Sequence, residues 1–495
     1  MTAHQKPKYP SLYQVNTRVW LTELSGASGK KATLDDIPDA SLEAIAKMGF
    51  DWIWFMNVWS IGEKGRKISR ENPEWIHEYE ATLEDLKDDD IGGSGFAVAQ
   101  YTVDANLGGE DALKRLRNRM HKHGLKLMLD FVPNHLGPDH PWVEKHPDYF
   151  IRGTVADLEQ QPFNYTKVTY SDGEMIVAYG RDPYFNGWPD TIQLDYNNLA
   201  VIEAMKNELQ RVCGQCDGMR CDMAMLILPE VFEQTWDRPA HSFWPEAIQA
   251  VKKQNPSFCF MAEVYWDMEW TLHQQGFDYA YDKRLYDRIC GDYPRGVREH
   301  LHAGLDYQDK LVRFLENHDE LRAASIFDLK HHEAAAILTF LLPGMRFFHQ
   351  GQLEGKRKRI SPHLIRGPQE ETDSNLQRFY TVLLDLLRRP IFRDGKWRLV
   401  EPIAAWMGND SWDDFIAFTW EGDGGERILV VVNYANNPGQ CFLRMPFMDI
   451  AGKRWQMEDV TGGYRYERDG NELYTKGLYL DVQPWQYHVF EMKSI

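Results

Sequence analysis

Residues 218–223, GMRCDM, and 258–264, FCFMAEV, set charged side chains inside runs that otherwise suit strands buried on both faces, and this pairing decides the fold. The first run carries Arg220 and Asp222; the second ends on Glu263. Two more apolar runs end in the same way: KLMLDFV (126–132) carries Asp130 and leads into Asn134 and His135, and LVRFLEN (311–317) leads from Asn317 into His318 and Asp319. LYQVN (12–16), DWIWFM (51–56), FDYAYD (277–282) and MRFFHQ (345–350) bring the candidate strands to eight.

Amphipathic helices fill the intervals. Leu113, Leu116 and Met120 fall on one face, and Gly124 ends that helix before the third strand. Ile202, Met205, Leu209 and Val212 repeat the arrangement before the fourth, and Leu42, Ile45 and Met48 before the second. Strands that alternate with helices predict an α/β chain built as a (β/α)8 TIM barrel, with reactive groups at the C-terminal ends of its strands.

Two stretches depart from the alternation. Residues 137–190, rich in Pro, Asp, Gly and aromatics, are too long for a βα loop and read as a short inserted domain after strand 3. From 397 to 495, runs such as RILVVVN and QYHVFEM between Gly, Asn and Asp clusters read as a C-terminal antiparallel β-sandwich. The barrel is thus expected over 1–136 and 191–396. Residues 61–93, with the run Asp88, Asp89, Asp90, read as a charged, solvated loop.

With 43% hydrophobic and 26% charged residues, the 495-residue chain has the composition of an ordinary globular protein. Its 74 acidic and 56 basic side chains give a formal charge of −18, which disfavours nucleic acid and anionic membranes as partners and favours a neutral or small substrate. The opening MTAHQKPKYPSLYQ has no apolar signal-like run, and no stretch reaches the roughly 20 apolar residues of a membrane span, so a cytoplasmic protein is expected. Six cysteines do not make a disulfide framework in a chain this long. Cys213 and Cys216 form a CxxC with no second ligand pair at zinc-like spacing, so no metal or redox role is assigned to them.

Three carboxylates at one barrel mouth repel one another unless a reaction uses them, and two carboxyl groups flanking a glycosidic bond are the machinery of glycoside cleavage. Asp222 has Arg220 two residues away on the same side of its strand, which suits a nucleophile that must stay ionised. Glu263 has no cation within four residues in an apolar run, which suits a general acid/base of raised proton affinity. Asp319 is left to hold sugar hydroxyls and favour the transition state. Taken singly, His135 reads as a packing histidine and Arg220 as an ion-pair partner; their company at strand ends makes them site residues.

DFVPNH, GMRCD, AEV and ENHD resemble, in order, the four signature regions of the α-amylase family of glycoside hydrolases (family 13). The first departs from the family's longer spacing, since Asp130 to Asn134 fits only as D-x-x-x-N-H. The resemblance implies the same three catalytic residues, Asp222 as nucleophile, Glu263 as acid/base and Asp319 as transition-state stabiliser. It also implies that His135, Arg220 and His318 line the subsite for the non-reducing-side glucose. Phe96 then falls near the ring that stacks on that sugar, and Tyr101, next to Gln100 where the family often has Asp, is a further substrate contact.

Two departures bear on substrate and metal. Met225 and Leu226 stand where enzymes acting on long glucans often carry Lys-His, which points to an apolar acceptor side. Gln193 stands where calcium-binding members have Asp, and losing a carboxylate weakens a site that needs six to eight oxygens, so no cofactor is assigned, with calcium the alternative. The expected function is retaining cleavage of α-glucosidic linkages in oligosaccharides or glucans. The alternative is a transglycosylase, isomerase or phosphorylase-type enzyme on a disaccharide such as sucrose or trehalose. A non-catalytic scaffold is disfavoured because it would have no use for three buried charges. Oligomeric state is not legible.

Overall fold

A computed structural model describes residues 7–171 and 173–495. Eight strands close a parallel barrel in sequence order: β1 (Ser11–Asn16), β2 (Trp52–Met56), β3 (Lys126–Phe131), β4 (Gly218–Cys221), β5 (Cys259–Ala262), β6 (Tyr279–Tyr281), β7 (Leu311–Arg313) and β8 (Met345–His349). All are buried throughout except at Lys126, as expected of parallel strands covered on both faces. Each lies within one of the eight runs read from sequence, apart from Ser11 at the start of β1. Six of the eight runs overshoot at their C-terminal ends, where the chain leaves the ladder for the loops.

Register puts Arg220 of β4 beside Asp130 of β3 and Met261 of β5, and Cys221 beside Ala262. Asp222 and Glu263 are therefore the first residues beyond their strands. Helices Gly109–Lys122 and Leu199–Cys213 bury the faces expected of them, Leu113, Leu116 and Met120 in the first and Ile202, Met205, Leu209 and Val212 in the second.

By compactness the chain parts into two units. One comprises Leu12–Tyr281 and Lys358–Gln369; the other comprises Asp282–Arg357, Glu370–Ile495 and, among the described residues, 7–11. The first unit holds the insertion after β3, made of helices Trp142–Lys145 and Val155–Gln160, the hairpin Tyr165–Tyr170 with Gly173–Ala178, and the short pair His135–Leu136 with Ile192–Gln193. The second holds the C-terminal antiparallel strands, six in one sheet and three in another. Phe415, Leu429, Val431, Cys441, Leu443 and Phe490 are among the residues of the apolar core that these strands enclose.

The solvated loop expected at 61–93 is instead largely helical. Glu63–Glu71 and Pro73–Thr82 are α-helices, the second begun by Pro73 at its first position with the Asn72 side chain capping Glu74 and Trp75. Their charges hide an apolar stripe: Tyr79, Leu83, Ile91 and Leu364 form a small core, with Trp75, Leu86 and Ile360 packed on it. Asp90 is buried and paired with Arg366 at 2.7 Å.

Candidate functional site

Arg220 organises the site. Its guanidinium is 1% exposed and reaches two carboxylates at once, Nη1 to Asp222 Oδ1 at 2.7 Å and Nη2 to Glu263 Oε2 at 2.8 Å, with Asp130 Oδ1 at 3.5 Å from Nη1. Rings surround it: Trp54 and Phe96 at 5.1 Å and Tyr281 at 5.9 Å from its central carbon. Burial works against its charge, but the negative fields of Glu263, Tyr281, Asp222 and Asp130 outweigh that and hold its pKa above the ordinary value. Because both terminal nitrogens belong to one small planar group, Asp222 Oδ1 and Glu263 Oε2 lie within roughly 8 Å of each other.

Glu263 differs from its sequence reading. A cation does reach it, supplied by the neighbouring strand rather than by its own, so counting charges along one segment missed Arg220. It also accepts the Met223 N–H at 2.7 Å and the Tyr265 hydroxyl at 3.1 Å. Met223 offers that N–H from a left-handed conformation (φ 40°), which turns the chain straight after Asp222. The backbone links the loops further, through Asp222 N–H to Phe131 O and Ala224 N–H to Glu263 O.

His135 is buried beside Asn134, 5.1 Å from the ring of Trp188 in the insertion. Burial pushes its pKa down to about 4 although the Asp222 charge pulls the other way, so the imidazole is neutral at pH 7. Phe96 is partly exposed over Arg220. Tyr101, expected to contact substrate, is 1% exposed between Trp59 and Phe131, its hydroxyl donating to Val132 O at 2.8 Å and accepting from Val132 N at 2.9 Å. It braces the backbone beyond β3 and has no face to offer a ligand. Met225 and Leu226 likewise point inward, at 0% and 2% exposure, and do not present the apolar acceptor surface read from sequence.

In the other unit, Asn317, His318 and Asp319 follow β7. Asn317 Oδ1 caps the turn by accepting the N–H groups of Asp319 and Glu320 at 2.8 and 2.9 Å. His318 is buried, and its Nε2 lies 3.1 Å from Oδ2 of Asp319, whose side chain is 41% exposed.

Sequence reasoning passed over Trp54, Tyr281, Tyr265 and Trp188 as site residues. Trp54 lies on β2 and its Nε1–H reaches Asp130 Oδ2 at 3.0 Å. A polar partner for the indole nitrogen is hard to foresee in a strand of five apolar residues.

Gln193, at the place where the sequence resemblance would put a calcium ligand, offers a donor rather than a carboxylate. The Gln193 amide nitrogen donates to Asn134 O, Asn134 Oδ1 and Leu194 O at 2.9, 3.0 and 3.0 Å, so an N–H donor already occupies the acceptors a metal would need. Among the described residues, no three His, Cys, Asp or Glu side chains gather as a metal site. Nor does any described helix have the length and apolarity to cross a membrane.

Comparison with known proteins agrees with this architecture. Residues 34–392 match the family model for the α-amylase catalytic domain. Alpha-amylase 3 of Dictyoglomus thermophilum is 23% identical, over 58% of this chain and 59% of its own length. An α-1,4-glucan:maltose-1-phosphate maltosyltransferase of Bifidobacterium longum is 29% identical over 46% of this chain and 25% of its own. The chain thus spans about three-fifths and one quarter of the length of these two curated relatives. Among solved structures, a maltogenic α-amylase from Thermotoga neapolitana superposes with a TM-score of 0.69 at 18% identity, covering 98% of both chains. The Geobacillus thermoleovorans α-amylase complexed with acarbose gives 0.67 at 18% identity, covering 99% of both, a likeness of fold. Since the family model spans most of the chain and the strand-end groups lie where a barrel enzyme keeps its chemistry, the chain belongs to the α-amylase family.

Proposed function

We propose that the protein cleaves α-glucosidic linkages of oligosaccharides or glucans with retention of configuration. The observation that carries this reading is the Arg220 guanidinium spanning Asp222 and Glu263, which holds two carboxylates at adjacent strand ends within reach of one glycosidic bond. Asp222 attacks the anomeric carbon while Glu263 protonates the departing glycosidic oxygen; the covalent glycosyl-enzyme is then opened by water, or by an acceptor hydroxyl, whose proton Glu263 takes. For a proton to reach the leaving oxygen, Glu263 must loosen its contact with Arg220 as substrate enters. Phe96 offers its ring to the sugar, with His135 as a hydroxyl partner. The family resemblance implies the same part for His318, and for Asp319, beyond the end of β7, the part of the third carboxylate that favours the oxocarbenium-like transition state.

The test is to digest a linear maltooligosaccharide and follow the reducing ends by proton NMR: shortened chains released first as α-anomers support the reading, and β-anomers or no turnover overturn it. Gln193 in the place of a cation implies that no calcium is required; the same digestion in excess EDTA should run at an unchanged rate, and loss of activity restored by calcium would contradict this.

Transfer to a sugar acceptor is the second reading. It is favoured by Tyr184 and Trp266, 61% and 38% exposed and edge-to-face at 5.0 Å, since Trp266 lies three residues past Glu263 and offers an acceptor an aromatic surface. Maltosyltransferases among the relatives accord with it. Chains longer than the starting one, or new linkages, would establish transfer. A cytoplasmic location accords with six cysteines that form no disulfide among the described residues.

A further inference from the structure

An open cavity of about 360 Å³ lies within the unit that holds Arg220, away from the groups assigned to catalysis. Helix Thr17–Ser28, helix Glu63–Glu71 and the segments around Asp89–Gly92 and Asn106–Leu107 border it. Four cations line it, Arg18, Lys31, Arg66 and Arg70, against one carboxylate, Asp89. In a chain of formal charge −18 this is the reverse of the average surface.

The cations are not equally engaged. Arg18, 7% exposed, is committed to Asp104 at 3.0 Å and to the carbonyls of Asn57 and Trp59, and fixes one wall. Arg66 pairs with Glu63 at 2.7 Å, but that carboxylate's side chain is 84% exposed, and such a pair holds weakly. Among the described residues Lys31 meets only the Asn106 amide oxygen, at 2.5 Å, and the Asn106 NH2 remains a donor. Arg70 uses Nε on Ile91 O at 3.3 Å and, among the described residues, has no carboxylate within ion-pair distance. Its two terminal nitrogens form a guanidinium fork without an anion. Leu21, Ala32, Leu107 and Ile365 supply apolar lining, and Thr22 a hydroxyl.

We propose that this cavity binds a small phosphomonoester, the phosphate held by Arg70, Arg66 and Lys31 and its organic part by the apolar lining. A fork of this kind fits phosphate through paired charge-assisted hydrogen bonds, and a dianion with three terminal oxygens answers several cations better than one carboxylate does. The volume accommodates a hexose phosphate. Arg66 and Arg70 also hold Gly92 O and Ile91 O, a few residues before Phe96, so an occupant would touch the segment that leads into the catalytic ring.

Calorimetric titration of the full chain with glucose 6-phosphate, inorganic phosphate and glucose tests the proposal. Glucose 6-phosphate should bind, glucose should not compete with it, and Arg70→Gln and Lys31→Ala should each weaken binding about tenfold or more. Both variants should keep the wild-type Tm and wild-type turnover of maltooligosaccharide, because neither residue touches the catalytic groups. Inorganic phosphate binding as tightly as glucose 6-phosphate would assign the site to the phosphate alone; weaker binding would assign it to the phosphorylated sugar. Absence of binding, wild-type affinity in both variants, or displacement by maltooligosaccharide from inactive Asp222→Asn protein would overturn the proposal. None of these outcomes depends on whether the enzyme hydrolyses or transfers.

Discussion

Asp222 keeps one oxygen on Arg220 and is only 6% exposed, so replacing it tests chemistry with little change of shape. In Asp222→Asn the amide oxygen can still accept from Arg220, while the nucleophilic charge is gone. Turnover should fall by about 10⁴-fold with an unchanged melting curve; a near wild-type rate would remove the nucleophile assignment. Asp190 shows how a buried acid can act on stability instead. It lies in the insertion, 3% exposed, its Oδ2 has no hydrogen-bond partner among the described residues, and burial raises its pKa to about 7. Since the unfolded carboxyl ionises near 3.8, the penalty appears as pH rises above about 3.8 and is complete above about 7. Asp190→Asn should therefore stabilise the protein by on the order of 2–4 kcal/mol at pH 8, with the gain shrinking towards zero near pH 4. Urea unfolding at both pH values measures this, and an equal effect at the two would contradict it. The Arg220–Asp222 pairing was legible because residues two apart in one extended run share a face. The Arg220–Glu263 pairing was not, because it runs between strands.

At the scale of elements, legibility followed burial. Each barrel strand is a near-continuous apolar run that hardly any other structure tolerates, so all eight could be found from the chain alone, whereas their ends came out long because Asp222 and Glu263 look continuous with the runs they terminate. The helices at 63–71 and 73–82 escaped notice because their small core is closed by Leu364 and Ile360, almost three hundred residues away. The same distant segment helps set the loop bearing Phe96. Asn57, at φ 66°, donates to Pro362 O at 3.0 Å and packs so closely on Gly95 that a Cβ there would come within 1.8 Å of Oδ1 and 2.9 Å of the Asn57 Cα. A side-chain oxygen can swing aside; a backbone carbon in a left-handed conformation yields less readily. Gly95→Ala should shift Phe96 and lower kcat/KM by about 10- to 100-fold, chiefly through KM, while the protein stays folded. Kinetics like those of the wild type would show that Phe96 is positioned by something else.

Over the whole molecule, the acid limit of stability belongs to histidines that sequence reading could identify only by name, since their burial is a product of the tertiary fold. Burial lowers His135 and His332 to about 4 and His140 and His363 to about 3, and holds His349 well below 6.5. A histidine with a depressed folded-state pKa gains its proton first in the unfolded chain, so its contribution is intact above about 6.5 and lost as pH falls towards the folded value. Asp190 works in the opposite direction across much of that interval, giving back one proton against the five that the histidines demand. Asp282, lowered to about 2 against burial by His300 and Arg313, enters only below the ordinary carboxylate range. As pH falls from 6.5 towards 5 the unfolded chain therefore takes up more protons than the folded one, and stability falls over that interval. Tm followed by circular dichroism should be flat from pH 8 to 7 and drop steeply below 6.5, with loss of the folded state before the carboxylates titrate. A Tm that held constant down to pH 5 would mean that these imidazoles reach solvent, and the neutral His135 beside Asp222 would have to be abandoned with them.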